Sequence, residues 1–149
     1  MKSKCIIVDI DGTIALMEGR RSPFEWDKVG YDSPNEWVIN LVLSYIHTQL
    51  DVNKQDTQLI FLSGRSAECY ELTDKWLKEN GFKDLDYLLF MRPTYQLYEK
   101  DAKVKLELYR EHIEPFYAVD IVFDDRQQVV DMWRNALGFN VCQVAEGNF

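Results

Sequence analysis

Two aspartates stand one residue apart near the start of the chain, in the run Asp9-Ile10-Asp11-Gly12-Thr13. An unbroken apolar segment, residues 5–8, precedes them and is typical of a strand buried on both faces of a parallel sheet. Because side chains alternate along a strand, we expect both carboxylates on the same side. At roughly 4 Å and an effective dielectric of about 20 they would repel by about 4 kcal/mol. A divalent cation, a proton or a substrate must offset this repulsion, unless the run is only an acidic turn.

A second apolar strand is predicted over residues 58–62, and it leads into Ser63, Gly64 and Arg65. A hydroxyl group followed by glycine at a strand end forms a compact turn that binds phosphate through the hydroxyl and nearby backbone N–H groups. The guanidinium of Arg65 can add a bidentate phosphate contact. The alternative interpretation is an ordinary strand-to-helix turn with Ser66 at the N-cap.

Another acidic pair, Asp124 and Asp125, follows an apolar strand predicted over residues 120–123. Adjacent positions of a strand point to opposite faces, so only one of the two can face Asp9 directly. In open α/β sheets ligands bind outside the carboxyl ends of the strands, which is where all of these side chains are expected. A helix-capping acidic turn is the alternative interpretation of this pair.

The cationic candidates are two arginines in a loop and three lysines on a predicted helix: Arg20, Arg21, Lys100, Lys103 and Lys105. The arginines lie within residues 14–33, a segment without periodicity that follows the first strand and should lie over the site. Asp101 can pair with a nearby basic side chain and orient it. All of these cations could equally be solvated surface charges.

These motifs need a framework of alternating strands and helices. Apolar runs predict further strands over residues 87–90 and 140–144, and helical periodicity predicts the remaining elements: helices over 34–50, 66–79, 99–113 and 127–137. Ser33 suits the N-cap of the first helix and Pro34 suits its first turn. The alternation predicts an α/β fold, a Rossmann-like parallel sheet with helices on both faces.

The composition limits the class of protein. A length of 149 residues suits one domain, and a hydrophobic content of 46% is ordinary for a globular protein. The net charge of −8 argues against broad binding of duplex nucleic acid, although a small basic site is compatible with it. Cys5, Cys69 and Cys142 fit no metal spacing, and their odd number favours a reducing compartment. Since no signal peptide or apolar spanning run is found, we expect a cytoplasmic protein without a membrane partner.

Together the motifs resemble those of the haloacid-dehalogenase superfamily of phosphotransferases. A closer resemblance, to the 3′-phosphatase domains of phage polynucleotide kinase/phosphatases, covers nearly the whole chain. It rests on these blocks: Met17-Glu18-Gly19-Arg20, Lys100-Asp101 with Lys105, Asp124-Asp125-Arg126-x-x-Val129-Val130-x-Met132-Trp133-Arg134, and Gln143-Val144-Ala145-x-Gly147-x-Phe149. The related proteins carry a kinase domain that these residues lack, so the chain is either a free-standing phosphatase, with residues 1–149 as one domain, or a part of a larger protein.

The resemblance implies a Mg²⁺-dependent enzyme that removes 3′-terminal phosphate from DNA or RNA through an aspartyl-phosphate intermediate. It implies Asp9 as the nucleophile and Asp11 as the general acid and base. Mg²⁺ would be bound by Asp9, by the backbone carbonyl of Asp11 and by Asp125, with Asp124 in support. The substrate-binding residues implied in the same way are Arg20, Ser63, Gly64, Arg65, Asp101 and Lys105, with Lys103 as the alternative to Lys105.

The segments between the motifs are short and leave no room for a large cap domain, so we expect a capless fold with an open site. Such a site admits the 3′-phosphorylated end of a nucleic acid, and it equally admits a mononucleotide. A phosphatase of nucleotides or other small phosphate esters is therefore one alternative, and a receiver-like phosphoacceptor signalling module is another. The expected partners are 3′-phosphorylated nucleic acid ends and a kinase or ligase.

Overall fold

A parallel sheet carries the sequence motifs at one edge in the computed structural model, which describes residues 2–149. The strands are β1 (Ser3–Val8), β2 (Ala15–Leu16), β3 (Ser33–Pro34), β4 (Thr57–Ser66), β5 (Tyr87–Arg92), β6 (Tyr117–Asp124) and β7 (Val141–Gln143). Five of them form the sheet in the order β5-β4-β1-β6-β7, and Val8 of β1 lies opposite Phe61 and Phe123. The residues that follow β1 therefore lie beside the ends of both neighbouring strands.

Helices cover both faces of this sheet. They are α1 (Glu36–His47), α2 (Tyr70–Leu77), α3 (Asp101–His112) and α4 (Gln127–Asp131). The core on one face contains Ile6 and Val8 together with the buried residues of α1 and α2. The core on the other face contains Cys5 and Ile7 together with those of α3 and α4. This alternation along β1 confirms the predicted α/β fold.

The α-helices are shorter than the periodicity predicts. The segment predicted as one helix over 66–79 consists of a 3₁₀ turn (Ala67–Cys69), then α2, then a wider turn (Lys78–Phe82). Wide turns with the hydrogen-bond spacing of a π-helix also follow α1 and α4, at Thr48–Val52 and Met132–Ala136. Apolar periodicity continues through such turns, so it overstates the length of the α-helix itself.

The start of α1 differs from the prediction. Ser33 and Pro34 form β3, which pairs antiparallel with β2, and the N-cap position is Asn35. The side chain of Asn35 donates a hydrogen bond to the carbonyl oxygen of Thr13 at 2.9 Å instead of capping the helix. Strand pairing has thus overridden the local capping preference, and it fastens the loop after β1 to the start of α1.

Several large apolar side chains of α1 and α2 are exposed: Trp37, Leu41, Tyr70 and Leu72. The residues that α1 buries form a narrower set: Val38, Ile39, Val42 and Ile46. Only one stripe of each helix fits against the sheet, so the neighbours of that stripe face solvent.

The segments between the motifs form small elements. Residues 9–35 contain the β2–β3 hairpin and a 3₁₀ helix (Trp26–Tyr31), and residues 67–100 contain α2, β5 and a short turn (Thr94–Gln96). No separate cap domain occurs within residues 2–149. Over the same residues, the helices are too short or too polar for any of them to cross a membrane.

Candidate active site

Asp9 directly follows β1, and only 5% of the residue is exposed. Its backbone N–H donates to the carbonyl oxygen of Phe123 at 2.9 Å, which fixes Asp9 against the end of β6. Lys105 Nζ donates to Oδ1 at 2.7 Å, and Thr13 Oγ1 donates to Oδ2 at 2.8 Å. Both carboxylate oxygens are therefore held in place, and one of them lies against a cation.

Lys105 reaches Asp9 from the buried side of α3, and the residue is 1% exposed. Its Nζ also lies 3.1 Å from Asp124 Oδ2 and 3.7 Å from Asp101 Oδ2. A buried ammonium group is costly without partners, so these carboxylates are what stabilise it. Lys103, the alternative for this position, is on the surface and forms an ion pair there at 3.2 Å.

The two acids at the end of β6 have different partners. Asp124 Oδ1 accepts hydrogen bonds from the backbone N–H groups of Asp125 and Arg126, at 2.9 and 3.3 Å, and Oδ2 accepts one from Lys105. Asp125 is also buried, and its Oδ1 lies 3.3 Å from Thr13 Oγ1, the hydroxyl that bonds Asp9. Asp124 thus holds the lysine and the turn, whereas the Asp125 carboxylate lies next to that of Asp9.

Three carboxylates converge closely enough to bind a metal ion. Oxygen atoms of Asp9, Asp124 and Asp125 all lie within 4.8 Å of one another. Oxygen donors are the ligands that Mg²⁺ prefers, and three acids beside one ammonium group leave negative charge for a cation to neutralise. The donor set therefore fits Mg²⁺. The side chain of Asp11 is not in this group, and the metal contact predicted for Asp11 uses its backbone carbonyl instead.

Burial changes the proton affinity of this cluster. Burial and the neighbouring Asp124 carboxylate raise the pKa of Asp9 well above its usual value, although Lys105 opposes the shift. Burial also raises the pKa of Asp125. Burial alone would lower the pKa of Lys105, but the surrounding carboxylates, Asp101 foremost, raise it well above its usual value. Protons therefore compete with any cation for the acids, while the lysine stays charged.

Asp11 is fixed by two arginines whose side chains are fully buried. Arg65 donates to Asp11 Oδ1 from Nε at 3.1 Å and from Nη2 at 2.8 Å, and Arg21 donates to the same oxygen at 3.1 Å. The side chain of Asp11 is itself 32% exposed. One carboxylate oxygen is therefore held by three donors, while the side chain remains accessible from the solvent side.

Asp32 completes this network, and no sequence motif indicates it. The residue is buried, and its carboxylate accepts hydrogen bonds from Arg21 Nε, Arg21 Nη2 and Arg65 Nη2, each at 2.8 Å. Thr73 and Trp76 of α2 add support: Arg65 Nη1 donates to Thr73 Oγ1 at 3.0 Å, and Trp76 Nε1 donates to the Asp32 carbonyl oxygen at 2.9 Å. Two arginines and two aspartates balance in charge, which makes the buried network tolerable.

Arg20 and Ser63 lie outside these hydrogen-bonded groups of acids. The Arg20 side chain is 47% exposed, bonds Ser33 Oγ and lies 3.9 Å from Glu18. Ser63 is buried in β4, where its Oγ accepts a hydrogen bond from the backbone N–H of Arg65 at 3.0 Å. The substrate contacts of both residues stay predictions. Arg21, the residue after Arg20, is the loop arginine that contacts the catalytic candidate Asp11.

Gly64 and Asp101 pack closely at the point where β4 meets α3. A Cβ atom on Gly64 would overlap Asp101 Oδ1. Arg92 bridges the same elements, because its Nε donates to the Gly64 carbonyl oxygen at 2.8 Å and its Nη2 lies 3.4 Å from Asp101 Oδ1. Asp101 therefore links the start of α3 to the ends of β4 and β5, and it orients the helix that carries Lys105.

Two glycines pack closely against Asp125. A Cβ atom on Gly12, which has φ of 81°, would overlap the Asp125 carboxylate. One on Gly147 would overlap the Asp125 carbonyl oxygen and lie 2.8 Å from Arg126 Cα. The Gly147 carbonyl oxygen also accepts a hydrogen bond from the backbone N–H of Gln127 at 2.8 Å. The segment after β7 thus helps to set the position of a candidate metal ligand.

These groups surround a cavity of about 350 Å³. Its acidic lining includes Asp9, Asp11 and Asp125, and its apolar wall consists of Met17, Pro23, Phe24, Trp26 and Phe149. This volume lies in the range of small-ligand sites. A fixed carboxylate beside an ammonium group, with a second accessible carboxylate and an apolar wall, suits the cleavage of a phosphate ester with a flat or apolar organic part.

A family model described as the polynucleotide kinase PNKP phosphatase domain matches residues 3–149. One similar protein, from Autographa californica nuclear polyhedrosis virus, is provisionally named a bifunctional polynucleotide kinase/RNA ligase. It is 38% identical over an alignment of 144 residues, and the match covers 94% of this chain but only 20% of the viral protein.

Two solved structures contain chains similar to this one. They are described as a Pnkp1/Rnl/Hen1 complex and the Pnkp1/Rnl/Hen1 RNA repair complex. Each match has 38% identity and a TM-score of 0.83, and each covers 99% of this chain. The matched regions make up 48% and 44% of the chains in those structures, so this chain spans less than half of their length.

Proposed function

The chain belongs to the family of polynucleotide kinase PNKP phosphatase domains, and on that premise we propose that it is a Mg²⁺-dependent polynucleotide 3′-phosphatase. The observation that carries the proposal is the placement of Asp9 and Asp11 on one cavity, with Lys105 at 2.7 Å from Asp9. Asp9 is buried beside Lys105, whereas the side chain of Asp11 is 32% exposed and is held by arginines through Oδ1 alone. This difference suits Asp9 for attack and Asp11 for proton transfer.

Asp9 is the nucleophile in this mechanism. One of its carboxylate oxygens forms a bond to the phosphorus of the 3′-phosphate, the bond from phosphorus to O3′ breaks, and Asp11 gives a proton to O3′. Water then attacks the phosphorus of the aspartyl phosphate and gives a proton to Asp11, while the bond from phosphorus to the Asp9 oxygen breaks and the Asp9 carboxylate is released. Inorganic phosphate leaves, and both aspartates return to their starting states.

Arg21 and Arg65 prepare Asp11 for this exchange. Their three hydrogen bonds all go to Oδ1, so Oδ2 is the oxygen that carries the proton to and from the cavity. Both guanidinium groups also bind Asp32, which prevents them from following the carboxylate if it rotates. A fixed proton donor lowers the cost of reaching the transition state.

The transferring phosphoryl group needs charge and hydrogen-bond donors around its oxygens. Lys105 supplies a charged donor beside Asp9. Ser63 Oγ already accepts a hydrogen bond from Arg65 N, so its own hydroxyl proton is available for a phosphoryl oxygen. Mg²⁺ held by Asp9, Asp125 and the backbone carbonyl of Asp11 would supply further charge neutralisation.

The names of the relatives suggest the setting. The viral relative is named for a polynucleotide kinase and an RNA ligase, and the matched structures are named for an RNA repair complex. We therefore propose that the chain prepares 3′ ends of nucleic acids for a kinase or ligase, and that RNA ends are the first substrates to test. A nucleotide phosphatase is the second candidate, because a cavity of about 350 Å³ suits one nucleotide.

The test compares phosphate release, with Mg²⁺, from a 3′-phosphorylated oligonucleotide, its 5′-phosphorylated twin and a nucleoside 3′-monophosphate. We expect the 3′-phosphorylated oligonucleotide to have the highest kcat/KM. Equal or faster release from the monophosphate would favour the nucleotide phosphatase instead. No release from any of the three, together with a long-lived phosphoryl group on Asp9, would favour a receiver-like module.

A further inference from the structure

A second cavity lies beside the catalytic one. Its volume is about 530 Å³, and the two cavities share four lining residues: Phe24, Arg92, Asp101 and Arg126. The shared residues place the two cavities side by side, as neighbouring compartments of the same surface. The proposed chemistry does not use the residues that line the second compartment alone, which are residues 97–100, between β5 and α3, and Gln128 of α4.

The second cavity is bordered by apolar side chains that solvent reaches freely. Tyr98 is 100% exposed, Phe24 is 75% exposed and Leu97 is 43% exposed. Exposed aromatic rings grouped around a cavity are typical of binding surfaces, and nucleic acid bases stack on such rings whatever their sequence. Phe24 lines both cavities, so a ring at this position can separate two successive bases.

Some of the charged side chains that line the second cavity have partners of opposite charge among the described residues, and one does not. Arg92 donates to the carbonyl oxygens of Gly64, Gln96 and Glu99, and Asp101 lies within 3.4–3.7 Å of three cationic side chains. The Glu99 carboxylate pairs with Lys103 at 3.2 Å. Lys100 also lines the cavity, and it forms no ion pair with any residue in the range 2–149. The charge left over in this compartment is therefore positive, in a protein whose net charge is −8.

We propose that the second cavity binds the penultimate nucleotide of a single strand whose 3′-phosphate lies at Asp9. Tyr98 stacks on the base of that nucleotide, and Lys100 pairs with the phosphodiester that joins it to the terminal nucleotide. Leu97 and Phe24 form the apolar sides of the compartment. This inference rests on the proposed 3′-phosphatase activity and adds to it the path by which the strand leaves the catalytic cavity.

The test is the dependence of kcat/KM on substrate length. We compare a nucleoside 3′-monophosphate, a dinucleotide and a trinucleotide, the last two with a 3′-phosphate, all with Mg²⁺. Wild-type enzyme should show one step of about 5- to 100-fold between one nucleotide and two, as expected from stacking one base, and little further gain at three. Tyr98→Ala and Lys100→Ala should each reduce the ratio of dinucleotide to mononucleotide by about 5-fold or more.

Matched controls come from exposed residues that do not line the cavity. Tyr95 is 85% exposed, and Lys75 of α2 lies 3.6 Å from Glu79 in a surface ion pair. Tyr95→Ala and Lys75→Ala should keep the wild-type ratio. Lys100→Ala should also reduce the dependence of dinucleotide kcat/KM on salt by about 0.7 log units per log unit of salt, the slope expected for one lost phosphate contact on a single strand.

Three results would overturn the inference. Equal kcat/KM for mononucleotide and dinucleotide in the wild-type enzyme would remove the subsite but leave the 3′-phosphatase activity in place. A wild-type ratio in both Tyr98→Ala and Lys100→Ala would place the subsite elsewhere. Absence of turnover on every 3′-phosphorylated substrate would overturn the proposed function together with the subsite, and is thereby distinguishable from the first two.

Discussion

Arg65 lies 2.8 Å from Asp11 and has no exposed side-chain surface. The sequence predicts that this guanidinium group binds phosphate. In the structure it donates hydrogen bonds to the carboxylates of Asp11 and Asp32 and to the hydroxyl of Thr73. Its bond to Asp11 acts on an oxygen of the candidate general acid rather than on a substrate atom. We therefore propose a positioning role for Arg65 in this reaction, and its contact with phosphate stays a prediction.

Replacement of Arg65 by lysine tests that role. Lysine cannot donate to both Asp11 and Asp32 with the geometry of a guanidinium group, so we expect kcat to fall by about 100-fold. KM should change little, because a residue that only positions Asp11 makes no contact with the substrate. Steady-state kinetics on a 3′-phosphorylated oligonucleotide give both values, with Arg110→Lys at an exposed surface pair as the control. A raised KM with an unchanged kcat would instead support direct phosphate binding.

The two catalytic aspartates should be separable by their substitutions. Asp9→Asn removes the nucleophile, so we expect loss of activity by about 10⁴-fold or more with the far-UV circular dichroism unchanged. Asp11→Asn should still accept a phosphoryl group from an aryl phosphate, whose leaving group needs no proton, but should hydrolyse it slowly. Mass spectrometry of the quenched Asp11→Asn protein should then detect one added phosphoryl group. Its absence, with rapid turnover, would contradict the assigned roles.

Without metal, the contribution of Asp9 and Asp125 to the free energy of unfolding should fall as the pH rises. The folded state raises the pKa values of Asp9 and Asp125, so the stability linked to these groups is complete below the unfolded carboxyl pKa. It is lost as the pH rises through the higher folded values. Mg²⁺ binds the deprotonated acids, so the increase in Tm that it causes should grow with pH.

Scanning calorimetry in chelator and in excess Mg²⁺ measures that increase. At pH 7.5 we expect about 3–8 °C at saturation, and a much smaller effect at pH 5. Asp125→Asn should remove most of the Mg²⁺ effect. An increase in Tm that is larger at pH 5 than at pH 7.5 would contradict a metal site built from these acids.

Gly147→Ala should impair the site without touching any catalytic side chain. The added Cβ would overlap the Asp125 carbonyl oxygen, so the turn that carries Asp125 must shift. We expect the Mg²⁺ concentration needed for half-maximal activity to rise by about 10-fold. Gly30→Ala is the matched control, because a Cβ there meets no atom within 4 Å. Equal Mg²⁺ requirements in the two variants would show that the segment after β7 does not set the position of Asp125.

The parts of the site that depend on strand ends are predictable from the sequence. Parallel strands that end in register bring their following residues together, and Val8, Phe61 and Phe123 do lie in register. This relationship is why Asp9, Ser63 and Asp124 could be placed at one edge of the sheet from apolar runs alone. The family resemblance, which the family model confirms, was needed to prefer Lys105 over its neighbours.

The second network could not be predicted in the same way. Arg21 and Asp32 lie in a segment without periodicity, and a buried ion pair has no local sequence signal. Their role depends on how the β2–β3 hairpin folds back over the end of β1, and Ser33 and Pro34, which form one strand of that hairpin, were predicted as the start of α1. The mixture of acidic and basic residues in the segment after Asp11 was the only sign of a charge network in the sequence, and many surface loops have the same composition.

The central position of β1 has a consequence for biosynthesis. β1 is translated before both strands that flank it, which begin their pairing with it at Thr57 and Tyr117. A nascent chain must therefore carry an apolar β1 that is unpaired until β4 has left the ribosome, and paired on one side only until the sequence around Tyr117 has left it. Such non-local pairing is slow and exposes the strand to aggregation. Asp9 and Asp124 can meet only after that step, so enzymatic competence should arise late and all at once as the chain is synthesised.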